Sequence, residues 1–231
     1  EGFTTTLGRE GSDYSAGILA YCCEAESVTI WKDVPGMLNA DPKYFEHTQL
    51  LTQISFKEAI ELSYYGASVI HPKTVQPLQQ KNIPLYVRSF IDPAAPGTTI
   101  SANAERDAQI PSYIVKFNQV LVTFSSKDFS FIAEKQLAEI FAALATMQAH
   151  INLMQNSALN FSVLIDRSKM QVESLQQALG ARYQIRYNEN LELVTIRHYN
   201  DAILAQMSTG KTSLVSQLTR TTARLVLQPK A

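Results

Sequence analysis

TTTLGREGSDYSAGILAY, residues 4–21, sets a polar, glycine-containing loop directly against an apolar helical run. Gly8 and Gly11 allow the backbone to approach a ligand closely, and the helix that follows aims unpaired N–H groups at it. Arg9 carries a planar fork matched to carboxylate or phosphate oxygens. Ser12 adds a hydroxyl, and Asp13 a carboxylate able to hold a cation or orient a lysine. The pattern predicts a helix over residues 14–24 with Ser12 or Asp13 as its cap. Taken alone, it is equally the pattern of an ordinary capped helix after a loop.

Working outward, residues 1 to about 100 read as alternating helix and strand. SVTIWKDV (27–34) is rich in β-branched and aromatic residues, as a strand should be. Ser55 and Glu58 have the spacing of a capping box, and the helix they open runs to Gly66. A second short helix is expected over 74–81 and a strand over 83–90, before DPAAPG (92–97) breaks the pattern. Two further clusters stand out. WKDVPGML (31–38), with NADPK (39–43) behind it, ends a strand on Asp, Pro and Gly, where α/β sheets bind ligands. YGASVIHP (65–72) joins a helix to a turn. His47, His71, His150 and His198 show no metal-ligand spacing, so His71 reads as structural or supporting and no metal site is expected.

The character changes after residue 110. Strands are expected at 112–117 and 119–125, then a helix in which Leu137, Ile140, Phe141 and Leu144 recur on one face. A strand at 159–166, a helix at 170–180 and a strand at 182–188 complete an α+β unit. NQVLVTF (118–124) then reappears as NLELVTI (190–196). This internal repeat points to two copies of one small sheet-and-helix module. After the second copy a return strand is expected early, at about 212–228, which makes that copy abbreviated. STGKTS (208–213) imitates the tail of a phosphate loop, but Ala205 stands where the required glycine belongs.

Composition excludes several classes. Of the 231 residues 45% are apolar and 18% charged, enough for a buried core, and the net charge of −1 argues against a nucleic-acid binder. No apolar run is long enough to span a membrane. Cys22 and Cys23 are adjacent and have no third cysteine to pair with, which suits reduced thiols in a cytoplasmic protein.

Together the three clusters resemble the aspartate kinases of the amino acid kinase superfamily. TTTLGREGSD (4–13) is similar to that family's Thr-Thr-Leu-Gly-Arg-Gly-Gly-Ser-Asp signature, with Glu10 in place of a glycine. Trp31-x-Asp33-Val34-Pro35-Gly36 with Asp41-Pro42 is similar to its nucleotide motif, and GASVIHP (66–72) and PGTTI (96–100) follow in the family's order. The repeat falls where the family carries two amino-acid-sensing ACT modules. The resemblance implies the C-terminal part of an α/β/α kinase sandwich (1–104), followed by two ferredoxin-like βαββαβ ACT modules (118–188 and an abbreviated 189–231). Residues 112–117 would be a strand completing the second module.

The implied activity is ATP-dependent phosphorylation of the L-aspartate β-carboxylate to aspartyl-4-phosphate, the first step toward lysine, threonine and methionine, with Mg²⁺ as cofactor. By the same resemblance Arg9, Gly11 and Ser12 would hold aspartate and Asp13 would organise catalysis. Lys32, Asp33, Leu38, Lys43 and Ser68 would contact ATP, although Lys32 stands where Thr is common and Ser68 where Lys is common. Asn152, Asn156 and Ser157 would face an effector, lysine or threonine, and a homodimer would form through the ACT modules. The family's opening Lys-Phe-Gly-Gly loop is not in the chain, so turnover by these residues alone is not expected. The alternative is a non-catalytic amino-acid sensor with vestigial kinase sequence.

Overall fold

The computed structural model describes residue 2, residues 11–167 and residues 172–230. It forms two compact units. One contains the residues up to 115 with 194–207 and 217–224; the other contains 116–193 with 208–216 and the residues from 225 onward.

The first unit is built on a four-stranded sheet of order β1-β3-β4-β2, from β1 (Val28–Lys32), β2 (Gln53–Ser55), β3 (Leu85–Ser89) and β4 (Thr98–Ser101). β1 and β3 run parallel, β3 and β4 antiparallel, and β2 and β4 parallel. Alternation decides what is buried: Val28 and Ile30 of β1 point into the core while Thr29 and Trp31 are exposed. Leu85, Val87 and Ile100 join them under α1 (Gly11–Cys23), α2 (Phe56–Tyr65) and α3 (Pro72–Gln80), which contribute Ala20, Leu62 and Leu78. Each of the valine, leucine and isoleucine side chains contributes roughly 1.5–3 kcal/mol through burial.

Local chemistry sets the helix ends. The Ser55 hydroxyl accepts a hydrogen bond from the Glu58 N–H at 3.0 Å. The reciprocal half of the expected capping box is absent: Asp107 Oδ1 takes the Ser55 N–H at 2.7 Å, and the Glu58 side chain is engaged elsewhere. Gly66 ends α2 with φ 127°, where a side chain would be strained. His71 caps α3, its Nδ1 accepting from the Lys73 N–H at 3.1 Å, so the imidazole is structural as the sequence implied. Among the described residues helix α1 already includes Gly11, ahead of the expected start at residue 14. Ser12 and Asp13 therefore lie in its first turn and do not cap it.

Further along the chain come β5 (Ser112–Ser126), α4 (Glu134–Thr146), β6 (Ile151–Asn156), β7 (Asn160–Asp166), α5 (Val172–Leu179), β8 (Tyr183–Arg197), α6 (Asp201–Ser208), β9 (Lys211–Leu218) and β10 (Thr222–Pro229); residues 112–115, 194–207 and 217–224 of these belong to the first unit and the rest to the second. The sheet order is β6-β7-β5-β8-β10-β9. Its first four strands have the arrangement of a ferredoxin-like βαββαβ unit. The run Val120-Leu121-Val122 is buried throughout because both faces of the sheet are covered. Val120, Val122 and Phe124 pack with Ile140 and Leu175, and Leu121 packs with Leu164, Leu193 and Val226.

Two expectations need correction. Residues 112–117 and 119–125 are not separate strands, and neither are 182–188 and 190–196. Each pair is one 15-residue strand. The repeated asparagines explain the misreading. Asn118 and Asn190 take left-handed backbone angles, φ 54° and 57°, which interrupt the alternation without ending the strand. The expected single return strand at 212–228 is instead two strands, β9 and β10, joined by a turn in which the Thr219 N–H donates to the Thr222 carbonyl at 2.8 Å. The second copy does carry a short helix, α6, of 8 residues against 13 for α4.

Asn118→Val should cost about 1–2 kcal/mol, because a β-branched residue strongly resists left-handed backbone. Asn118→Gly should be close to neutral. Urea denaturation compares the two, and equal stabilities would contradict the assigned role of the left-handed angle.

Candidate functional site

At the carboxyl edge of the first sheet, the last residue of β1 meets the first turn of α1. Lys32 Nζ lies 2.8 Å from Asp13 Oδ2, an ion pair without the alignment of a hydrogen bond. Asp13 is 9% exposed, so this carboxylate is nearly withdrawn from solvent and depends on the lysine for its counter-charge. Gly11 and Ser12 belong to the same helix. Arg9 and the loop before it lie outside the described residues.

A cavity of about 350 Å³ opens beside the loop that follows β1. Asp33, Leu38, Lys43 and Ser68, four of the five expected nucleotide positions, all line it. Lys32 does not; it is the partner of Asp13. The loop is held by backbone constraints. Gly36 has φ 143°, and a Cβ there would sit 2.7 Å from Thr98 Oγ1, which accepts the Met37 N–H at 2.8 Å. Asn39, 7% exposed, ties the loop to the segment leading into β5. Its Nδ2 donates to the Pro111 carbonyl (3.0 Å), its Oδ1 accepts from the Gln49 N–H (2.7 Å), and its carbonyl accepts from the Tyr113 N–H (2.7 Å). Gly36→Ala should therefore destabilise by about 1–3 kcal/mol. An unchanged midpoint in urea would contradict this.

The first unit also contains a buried ionic cluster that the sequence reading did not identify. Arg197 grips Glu58 with two nitrogens: Nε donates to Oε1 at 3.1 Å and Nη2 to Oε2. Its Nη1 donates to Thr222 Oγ1 at 2.5 Å, and His198 Nε2 lies 3.2 Å from Glu58 Oε2. Burial alone would raise the Glu58 carboxyl. The hydrogen bonds and charges of His198 and Arg197 outweigh it and hold the group below its ordinary value.

In the second unit the expected effector residues do not come together. Asn152 sits at the bulge of β6, buried, with every amide valence used internally. Its Nδ2 donates to Gln119 Oε1 and Asp166 Oδ1, and its Oδ1 accepts from Lys116 Nζ at 2.9 Å. Asn156 and Ser157 lie at the other end of the strand and are exposed. Lys211 of the false phosphate loop is bound to Glu192 at 2.5 Å, which commits that ammonium to β8.

Residues 1–89 match the amino acid kinase family. Over 203 residues the chain is 34% identical to lysine-sensitive aspartokinase 3 of Escherichia coli (strain K12), covering 85% of this chain and 45% of that protein. The chain is a relative of the aspartokinases. It is also 32% identical over 189 residues to the chloroplastic bifunctional aspartokinase/homoserine dehydrogenase 1 of Zea mays, covering 80% of this chain and 20% of that one. Among solved structures, E. coli aspartokinase III in complex with lysine and aspartate superimposes with a TM-score of 0.78 at 27% identity, over 97% of this chain and 53% of that one. The aspartate kinase of Clostridium acetobutylicum gives 0.84 at 21% identity, over 97% and 56%, a likeness of fold. The chain thus spans about half the length of these aspartokinases, and less of the bifunctional protein.

In this aspartokinase relative the cavity holds more than the motif residues. Tyr113 and Phe45 line it as well, their ring centroids 5.6 Å apart. Neither carried a signal in the sequence, because one reads as a strand residue and the other as part of a loop. Among the described residues no group of three or more His, Cys, Asp or Glu side chains is placed to hold a metal. No described helix is long and apolar enough to cross a membrane.

Proposed function

We propose that the chain carries part of an aspartate kinase, transferring the γ-phosphoryl group of ATP to the β-carboxylate of L-aspartate to give aspartyl-4-phosphate. The observation that carries this reading is the convergence of Asp33, Leu38, Lys43 and Ser68 on one cavity at the carboxyl edge of the sheet. The kinship with aspartokinases supports it further. Asp33, exposed at the cavity, would accept hydrogen bonds from ribose hydroxyls, and Lys43 would supply positive charge. Arg9, Gly11 and Ser12 would hold aspartate, while Lys32 would orient Asp13 beside it.

The described residues fit a Mg²⁺ that arrives on the nucleotide phosphates better than one held in a protein cage, because they offer scattered single carboxylates. When bound, that ion neutralises charge on the phosphates.

In the same reading the second unit is regulatory, sensing an end-product amino acid and pairing with a second copy. The E. coli relative was solved with lysine. Asn156 and Ser157, exposed at the end of β6, would contact the effector. Calorimetry with L-lysine and L-threonine tests this, and heat from neither would remove the effector reading.

The nucleotide reading is tested by titrating the chain with ADP. Saturable binding that Asp33→Ala weakens by about tenfold is the expected result, the size of one good hydrogen-bonded contact. Binding of equal strength in the variant would count against the assignment of this cavity.

A further inference from the structure

The cavity beside Gly36 has two kinds of wall. Its charged side chains are Asp33, Asp41 and Lys43, which sum to a negative charge and do not suit a bare anion. The remainder includes Leu38, Phe45 and Tyr113, an apolar and aromatic surface suited to a flat ring. Both aromatic residues are fixed. The Phe45 N–H donates to the Asp41 carbonyl at 3.1 Å, closing a turn that aims the ring at Tyr113. The Tyr113 backbone is pinned to the Asn39 carbonyl at 2.7 Å, and Asn39 holds Pro111 two residues earlier. The two rings are tilted by 30°, so that Phe45 backs Tyr113.

Tyr113 presents its ring to the cavity. It is half-buried, and among the described residues its hydroxyl makes no hydrogen bond. Burial pushes the phenol above its ordinary value, so it is neutral at physiological pH.

We propose that Tyr113, backed by Phe45, is the base-stacking wall of this cavity and sets its preference for a ligand carrying a flat heteroaromatic base. The inference rests on the nucleotide reading above. It adds a specificity-determining residue that lies 45 positions beyond Ser68, the last of the expected nucleotide positions. The ligand's base end occupies this cavity and its phosphates lie outside it. Rigid placement by Asn39 means that little ordering accompanies binding.

Calorimetric titration with adenosine and with ADP tests the proposal on the parent chain and on Tyr113→Leu, Tyr113→Phe and Phe45→Leu. Leucine keeps apolar volume without the flat π face, so Tyr113→Leu should fold and should bind both ligands about tenfold more weakly. The loss should be the same for adenosine and ADP, since only the base contact is removed. Tyr113→Phe should bind within about threefold of the parent, and Phe45→Leu should show a smaller loss than Tyr113→Leu. Unchanged affinity in Tyr113→Leu, with the parent binding normally, would overturn the stacking role and leave the nucleotide reading standing. Equal losses in Tyr113→Phe and Tyr113→Leu would show that the hydroxyl, not the ring, makes the contact, and would also overturn it. A parent chain that binds neither ligand would overturn both readings. Thermal melting of each variant separates a lost contact from a lost fold.

Discussion

Glu58→Ala should lower the stability of the chain by about 3–5 kcal/mol, because it leaves the Arg197 guanidinium buried without its carboxylate. Both side chains are nearly inaccessible, at 4% for Glu58 and 7% for Arg197, so water cannot replace the lost partner. The double variant Glu58→Leu/Arg197→Met removes both charges together and should recover most of that loss, since an apolar pair carries no desolvation cost. Urea denaturation distinguishes the two. A single variant within about 1 kcal/mol of the parent would show that the pair is not buried as described. The same cluster predicts an acid limit. Glu58 titrates lower in the folded chain than in the unfolded one, so its contribution is complete above the ordinary carboxylate value of 4.5. That contribution declines as pH falls below 4.5 and is gone once pH passes below the folded value. Glu58→Leu/Arg197→Met should flatten this part of the stability profile.

Asn39→Ala should have the second large effect, and it should reach both stability and binding. The substitution leaves the Pro111 carbonyl and the Gln49 N–H without their partners, which costs about 2–4 kcal/mol in total. It also releases one of the two ties that hold the residues ahead of Tyr113 against the cavity loop. ADP affinity should therefore fall by about tenfold under conditions where the variant is still fully folded, an effect of the order of one lost stacking contact. Full ADP affinity in a destabilised Asn39→Ala would separate the clamp from the cavity and contradict this account. Asn39→Asp keeps the acceptor toward Gln49 and loses only the donor, so it should fall between the two.

Much of the fold was legible where the physics is local. The capping serine of α2, the glycine that ends it and the alternation of β1 are written within a few residues of where they act. The repeat was visible because Asn-x-x-Leu-Val-Thr is dictated by a shared conformation: left-handed backbone at the asparagine, then a strand buried from both sides. That left-handed residue was also what made one strand look like two. Strands β2 and β4, of three and four residues, were too short to show periodicity, and they are defined by pairing with each other rather than by pattern.

The site divided along the same line. Asp33, Leu38, Lys43 and Ser68 were found through resemblance to a family, and they share one cavity. Tyr113 and Asn39 were not, because their roles come from hydrogen bonds that span 72 and 74 positions of sequence. Arg197 is 139 residues from Glu58, and nothing in the local sequence of either announces the other. Asn152 shows the converse. Its sequence position suggested a ligand contact, while its amide is occupied by Gln119, Asp166 and Lys116.

The most direct test of the central claim, that the cavity beside Gly36 takes the base of a nucleotide, is photo-labelling of the chain with 8-azido-ADP followed by peptide mapping. The account predicts label on the peptides carrying residues 33–45 and 111–115, protected by excess ADP. Protected label confined to the second unit, or no protected label at all, would contradict it.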